Sequence, residues 1–536
     1  MFDPGQTRRY PHAEHANMAR VIEALRGPAC YPHPATDVEL IETHISWVLL
    51  AGAYAYKVKK PVRLPFLDFS TLAARRHYCE EELRLNSRTA PDLYLEVVPI
   101  TRGAEGGVQV GGPGDAVEYA LKMRRFAAGD LADAMARGGA LGAAQVDALA
   151  AALAQFHALA PRLDAAGPYG TPEAIEAPAL GNFDQIVALE PAPDPACAAR
   201  LAALRAWTAR EAARLRPVFA ARRREGFVRE CHGDLHLGNI AFLGERAVPF
   251  DCIEFDPALR WIDIMSEVAF VVMDLHAHRL PALAWRLLDA WLAATGDYEG
   301  VAVLRYYLVY RAMVRAKIAR LRSSAGAFAE HLALAETLCQ RGRPGLVLMY
   351  GPSGSGKTFA SQALLERVGA VRLRSDLERK RLHGLAPRAR TGAAPASGIY
   401  DAAAGERTYA RLATLAVAVL EAGYPAVVDA AFLARDERTR FRRLAGQAGT
   451  ACVIAHCAAP EAMVRRRVAE REARADDASE AGVPVLERQL ASAQPLAPDE
   501  AAIAVTLDTG TAGGMQSGID AIAARLAPEA EPHAPH

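Results

Sequence analysis

The chain has eight cysteines but no C-x-x-C pair and no zinc-finger spacing, so the sequence offers no redox dithiol motif and no zinc motif. Most of them sit in apolar stretches, where buried free thiols are expected. Net charge is also missing: Lys+Arg and Asp+Glu both number 62. No global field therefore draws in nucleic acid or an anionic membrane, and any electropositive site has to be local. No window reaches the roughly 18 uncharged apolar residues of a membrane span. Even the Ala-rich stretch 140–160 is broken by Gln145, Asp147, Gln155 and His157. Arg8 and Arg9 are followed by no apolar h-region, so no secretory signal is expected and the cytoplasm is the expected location. There is no internal repeat, and no G-x-G-x-x-G precedes Leu121. What remains is globular in composition, 51% hydrophobic and 23% charged, and 536 residues exceed one ordinary core, so two or three domains are expected.

Residues 37–61 read as strands, and 53–59 alternates with period two, so Ala55, Lys57 and Lys59 share a face. Residues 70–86 read as a helix capped by Ser70 or Thr71. Further strands at 93–100 and 117–123 are joined through a Gly-rich turn at 103–115. Long Ala/Leu helices follow Asp130, a Pro-rich stretch at 191–195 interrupts them, and helical patterning resumes from Ile262 to about Arg341. Arg341-Gly342-Arg343-Pro344-Gly345 is the expected boundary. It divides the chain into a domain at 1–340, a linker at 341–345, a domain at 346–527 and a disordered tail at 528–536. In the second domain, strands at 346–350, 370–373, 426–429, 452–456 and 503–507 alternate with helices, which predicts a parallel sheet covered on both faces.

Two phosphate-handling signatures occur, one in each part. The first is His232-Gly233-Asp234-Leu235-His236-Leu237-Gly238-Asn239, followed by Phe250-Asp251. Asp234 and Asn239 have the D-x-x-x-x-N spacing of a kinase catalytic loop. Segments 240–243 and 247–250 form a hairpin through Gly244-Glu245-Arg246 that returns Asp251 beside Asn239. Both can then reach Mg²⁺, which hard oxygen ligands suit better than zinc. Asn and Asp favour turns, yet turn preference alone does not supply this joint spacing.

These residues resemble the aminoglycoside phosphotransferase and choline-kinase-like branch of the protein-kinase fold. More closely, the chain is similar to a bacterial group of bifunctional proteins with an aminoglycoside-phosphotransferase-like front half and a P-loop kinase-like back half. Tyr56-Lys57-Val58-Lys59-Lys60-Pro61, Phe66-Leu67-Asp68-Phe69-Ser70, Leu85-Asn86 and Ile253-Glu254-Phe255 carry the likeness, which covers essentially the whole chain. The resemblance implies an α+β, protein-kinase-like bilobal domain with Asp234 as catalytic base and Asn239 and Asp251 as metal ligands. It also implies a lysine on the α/β-phosphates of ATP, paired with a helix glutamate. Lys57 or Lys59 can serve, with Lys57 favoured because small Ala55 precedes it on that face. The glutamate is one of Glu80, Glu81 and Glu82, and Glu81 enters the candidate site. Arg260 and Asp263 are expected to brace the loop as an ion pair.

The second signature, Gly351-Pro352-Ser353-Gly354-Ser355-Gly356-Lys357-Thr358, stands between a strand and a helix and is a complete P-loop. Gly351, Gly354 and Gly356, with Ser353 and Ser355 between them, let backbone N–H groups curl around phosphates, and the helix N-terminus adds its dipole. Lys357 reaches the β/γ-phosphates and Thr358 ligates Mg²⁺. Ser375-Asp376-x-x-Arg379 sets a carboxylate and a cation at the C-terminal edge of the sheet, where acceptors bind. Asp429 ends an apolar strand as a Walker-B-type carboxylate. Arg465-Arg466-Arg467 and Arg471 fall on a helix in the position of a lid, with Arg467 and Arg471 on one face. This pattern resembles small-molecule and polynucleotide 5′-kinases, which implies that Asp376 activates an acceptor hydroxyl. The basic clusters 379–381 and 440–443 have no aromatic interleaving beyond Phe441, and nucleotide phosphates account for them without nucleic acid.

The expectation is a cytoplasmic bifunctional phosphotransferase whose second domain is an α/β P-loop NTPase. It would use ATP and Mg²⁺ and act on small-molecule hydroxyls, with no nucleic-acid or membrane partner; the sequence leaves the oligomeric state open. Two other readings accompany it. One is a P-loop kinase whose front domain only recognises the acceptor, and the other is a nucleotide-gated regulatory or binding protein.

Overall fold

The computed structural model describes residues 12–64, 67–103, 107–164, 167–190, 194–342, 344–387, 389, 391, 397–474 and 480–526. The expected tail at 528–536, Phe66 and residues 191–193 of the Pro-rich stretch lie outside them. Two compact units emerge: one runs up to His278 and includes Tyr306–Glu336, and the other joins Arg279–Arg305 to the chain from Thr337 onward. This division differs from the single boundary expected at 341–345, because Arg279–Arg305 reads from sequence as part of the front helices. The Pro281–Thr295 helix buries Ala284, Leu287, Leu288, Trp291 and Leu292. Periodicity reveals that such a helix has a buried face but not which core receives it. No helix among the described residues is long and apolar enough to cross a membrane.

The first unit contains a six-stranded sheet in the order Val38–Glu42, Ser46–Ala51, Tyr54–Lys59, Ala116–Arg124, Tyr94–Arg102, Val108–Val110, with all neighbours antiparallel. The last strand occupies the middle of the expected turn at 103–115, folding back so that Val110 faces Ile100. Leu49, Tyr56, Val58, Ile100 and Ala120 form its core. Thr71 caps the Leu72–Asn86 helix by accepting the Ala74 N–H at 3.1 Å, and the helix packs on the Ala116–Arg124 strand. The helical part holds two short ladders. One is the Ile240–Leu243/Arg246–Pro249 hairpin, and the other pairs Val228–Glu230 with Trp261–Asp263. Ile262, expected to open a helical run, is therefore in a strand. The Ile264–Ala277 helix begins after it, capped by Asp263 and buried on nearly every side.

In the second unit, five parallel strands run in the order Val371–Arg374, Ala426–Asp429, Gly345–Tyr350, Ala451–Ala458, Ala504–Asp508. The inner strands are apolar runs rather than alternating ones, as expected of a sheet covered on both faces. Val347, Met349, Val427, Ala455 and Leu507 pack with residues of the Lys357–Val368 and Ala512–Leu526 helices. The P-loop strand is central, so Tyr350, Arg374 and Asp429 reach one edge of the sheet together. The architecture is the expected pair: an α+β front part and an α/β P-loop part.

Candidate active sites

Lys57 and Lys59 sit two residues apart on one strand and meet one carboxylate. Glu82 accepts from Lys57 Nζ and from Lys59 Nζ, each at 2.7 Å. The structure thus corrects the choice of Glu81. One residue earlier on a helix with 3.6 residues per turn, Glu81 faces elsewhere; it accepts from Arg84 at 2.7 Å and Arg260 at 2.8 Å. Glu80 pairs with Arg76 on the exposed side.

The lysines differ in their second partners. Lys57 donates to Asp251 Oδ1 at 2.5 Å, and that aspartate side chain is 43% exposed. Lys59 is 1% exposed, enclosed by Glu82, Glu254 and the Phe69 ring at 4.9 Å. Burial would lower the pKa of Lys57, but Asp251 and Glu82 carry it well above its ordinary value. Against the opposing effect of desolvation, Lys57 in turn holds the Asp251 carboxyl below the usual range. Burial raises the Glu254 carboxyl despite the adjacent Lys59.

Asp251 has a left-handed backbone (φ 66°), which Asp tolerates better than most residues. Its N–H donates to the Tyr94 hydroxyl at 3.0 Å, and the next N–H, of Cys252, donates to Asn86 Oδ1 at 2.9 Å. Asn86 therefore fixes the turn that carries the metal-type carboxylate. Asn239 Nδ2 donates to the Asp234 carbonyl at 2.9 Å and to Asp234 Oδ2 at 3.3 Å. The Phe250 N–H donates to the Asn239 carbonyl at 2.9 Å, so the hairpin closes on the catalytic-type loop. Asp251 and Asn239 supply hard oxygens, a donor set that fits Mg²⁺.

The loop is held from below by carboxylates that sequence reasoning missed. Glu267 accepts the N–H groups of His232 at 2.9 Å and Gly233 at 2.8 Å, and Asp274 accepts that of Leu237 at 2.8 Å. Burial would raise the Glu267 carboxyl, but hydrogen bonds from His157 and the loop bring it down to about 2. Both acids lie on the otherwise apolar Ile264–Ala277 helix, where no local spacing marks them. The expected Arg260–Asp263 pair is replaced by two others. Arg260 donates to Glu230 at 3.1 Å and Glu81 at 2.8 Å, while Arg222 grips Asp263 through two bonds of 2.6 and 2.8 Å. Arg260 ends the Pro257–Arg260 helix and Asp263 ends the Trp261–Asp263 strand, so the two belong to different elements.

In the P-loop, Gly354 and Gly356 have φ of 81° and 88°. A Cβ on Gly354 would stand 2.6 Å from the Val464 carbonyl oxygen, and one on Gly356 2.9 Å from Thr509 Cβ, so both positions require glycine. Lys357 starts the helix and donates to the Gly351 and Pro352 carbonyls at 2.8 Å each. Burial lowers its pKa, opposed by Asp429. The Ser353 N–H donates to Gln489 Oε1 at 2.7 Å, and the Ser355 carbonyl accepts from Thr509 Oγ1 at 2.7 Å.

Asp429 is buried, and its Oδ2 lies 3.2 Å from Ser361 Oγ, which is itself 3.1 Å from the Thr358 carbonyl. Ser361 thus ties the P-loop threonine to the strand-end aspartate. Asp376 lies in the first turn of the Ser375–Leu382 helix; Arg379, one turn on, donates to the Ile399 carbonyl at 3.2 Å. Arg467 and Arg471, on the Glu461–Arg474 helix, donate to the carbonyls of Thr509 at 2.8 Å and Ala481 at 2.7 Å. Ser361, Arg372 and Gln489 went unnoticed in the sequence because single polar residues in helices and strands carry no pattern.

Residues 79–304 match the model of the phosphotransferase enzyme family, and residues 346–496 match that of the AAA domain. Uncharacterized protein Rv2004c of Mycobacterium tuberculosis (strain ATCC 25618 / H37Rv) is 30% identical over 474 residues, spanning 86% of this chain and 92% of the relative. Uncharacterized protein Mb2027c of Mycobacterium bovis (strain ATCC BAA-935 / AF2122/97) matches with the same figures. Two solved structures are similar to parts of the chain. A choline/ethanolamine kinase family protein from Mesorhizobium loti is 14% identical, with a TM-score of 0.35, over 60% of this chain and 99% of that one. A gluconokinase from Sinorhizobium meliloti 1021 is 19% identical, with a TM-score of 0.25, over 35% and 97%. The chain belongs to the same family as the two mycobacterial proteins, and in it a kinase-like phosphotransferase domain precedes a P-loop kinase-like domain.

Proposed function

We propose that the protein is a bifunctional phosphotransferase that moves the γ-phosphoryl group of ATP to hydroxyl groups of small molecules at two separate sites. The observation that carries this reading is that each unit holds its own lysine placed as a candidate phosphate ligand, its own acidic and amide or hydroxyl oxygens and its own candidate base. In the front site, Lys57, steadied by Glu82, binds the α/β-phosphates. Asp234 takes the proton of the acceptor hydroxyl as its oxygen attacks the γ-phosphorus and the bond to ADP breaks. Asn239 and Asp251 would hold Mg²⁺ there, and Thr358 and Asp429 would hold it in the back site. When bound, the ion neutralises charge developing on the phosphates. In the back site the P-loop amides and Lys357 cradle the phosphates, and Asp376 is the base, with Arg379 beside the acceptor. Arg467 and Arg471 exchange their carbonyl partners for the nucleotide as the lid helix closes.

Asp234→Ala should lower one ATP-dependent transfer by roughly 10²–10⁴-fold and spare the other, while Lys357→Ala does the reverse. Isotope-labelled ATP incubated with the protein and a cell metabolite extract reads both transfers and reveals the acceptors. If both substitutions leave every transfer unchanged, the reading is wrong. ADP and free phosphate as sole products would instead favour the nucleotide-gated switch.

A further inference from the structure

Behind Thr358 and Asp429 of the P-loop unit lies a buried charge pair, one member of which stands outside the residues matching the AAA domain. Arg372, buried on the Val371–Arg374 strand, donates to the Thr358 carbonyl at 3.2 Å, to Ser361 Oγ at 3.2 Å and to Gln362 Oε1 at 2.7 Å. Ser361 Oγ is also 3.2 Å from Asp429 Oδ2. One guanidinium therefore fastens both oxygen-bearing residues of the candidate Mg²⁺ site. Its own charge is met by Asp289, 5% exposed, through a fork of 2.6 Å (Nη2 to Oδ2) and 3.3 Å (Nε to Oδ1). Asp289 belongs to the Pro281–Thr295 helix, in the segment Arg279–Arg305 that joins the second unit from the earlier part of the chain.

A buried ion pair is a poor device for stability alone, because a well-packed apolar pair of similar volume stabilises as much or more. Its value lies in what the oriented guanidinium does. With Asp289 present, Arg372 is neutralised from one side and spends its other donors on Thr358, Ser361 and Gln362. Without that carboxylate, the next carboxylate whose charge acts on Arg372 is Asp429, reached through their shared partner Ser361, and Asp429 already has Arg374 Nε at 3.9 Å. Asp429 would then be drawn into an ion pair and withheld from a cation.

We propose that Asp289, acting through Arg372, is the positioning residue of the P-loop site, keeping Asp429 available beside Thr358 for the Mg²⁺ of the bound nucleotide. The proposal rests on the reading of Thr358 and Asp429 as metal ligands.

The test is binding of a fluorescent ATP analogue to the full-length protein, titrated with Mg²⁺, and scored on the component of binding that Lys357→Ala removes. In Asp289→Asn the metal-free affinity should stay within about twofold, while the Mg²⁺ concentration for half-maximal enhancement rises about tenfold, the scale of one charged hydrogen bond. Arg372→Lys keeps the charge but loses the fork and should shift the Mg²⁺ dependence in the same direction. Asp289→Glu should restore most of it. An unchanged Mg²⁺ dependence in a folded Asp289→Asn protein overturns the proposal, as does an equal fall in metal-free and Mg²⁺-dependent affinity, which marks a merely structural role. Should Asp289→Asn fail to melt cooperatively, Arg372→Lys is titrated in its place: a raised Mg²⁺ requirement supports the proposal, and an unchanged one overturns it. If Lys357→Ala removes no binding, the P-loop reading itself fails, separately from the role of Asp289.

Discussion

Glu82 shows how finely the front site is set by a single residue. Two lysines on one strand face and three consecutive glutamates on a helix were legible in the sequence, because strand alternation is local. Which glutamate meets the lysines depends on the rotation of the Leu72–Asn86 helix against the sheet, and burial of Cys79, Glu82 and Leu85 decides it. Glu82→Gln removes a charged partner from both Lys57 and Lys59, and hydrogen bonds to charged groups contribute about 1.5–3 kcal/mol. Nucleotide affinity at the front site should therefore fall by at least about tenfold. Glu81→Gln should leave that affinity within about twofold and lower the melting temperature instead, since Glu81 ties Arg84 to Arg260. Calorimetric titration of both variants with ATP checks the pair of outcomes, and equal losses of affinity would return Glu81 to the site.

At the scale of elements, the catalytic-type loop and the P-loop are stiff for different reasons. The P-loop is written almost wholly in contiguous residues, so strand, glycines and helix start were all readable. The His232–Asn239 loop owes its shape to a buried helix whose Glu267 and Asp274 take its N–H groups, and this support comes from 34 to 37 residues downstream. Its pH dependence has a definite sign. The folded-state Glu267 carboxyl lies at about 2 against an ordinary 4.5, so its stabilisation is complete above about pH 4.5 and is lost as pH falls toward 2. The stability at stake is on the order of 3 kcal/mol. Chemical denaturation between pH 3 and 7 should show a steep acid limb in the native protein and a flatter one in Glu267→Gln, which starts from lower stability at pH 7. Parallel acid limbs would mean that Glu267 is not the titrating support of the loop.

At the scale of the whole molecule, the second unit needs the Arg279–Arg305 segment. Trp285 stands so close to Gly369 that a Cβ there would lie 2.7 Å from its indole nitrogen, and it meets the Tyr424 ring edge-on at 5.7 Å. With Asp289 on the same helix, the segment supplies both an apolar patch and a buried charge to the P-loop unit. A fragment spanning residues 341–526 lacks all of these. It should give no cooperative thermal transition, or one well below that of the P-loop unit in the intact protein, when followed by circular dichroism. A fragment that melts and binds nucleotide like the intact protein would return the boundary to 341–345.

By itself the sequence determines the two phosphate-type motifs, the order of an α+β part and an α/β part, and which residues are candidates for bases and metal ligands. All of these are encoded in contiguous stretches, where backbone geometry is local and spacing can be counted. Only the tertiary structure decides that Glu82 rather than Glu81 serves the lysines, that Arg260 and Asp263 part company, that Glu267 supports the front loop, and that Asp289 neutralises Arg372 behind the P-loop. Each of those pairings joins segments whose relative rotation and approach are set by how whole faces pack. A charge in an amphipathic helix does not announce the partner that packing will bring to it.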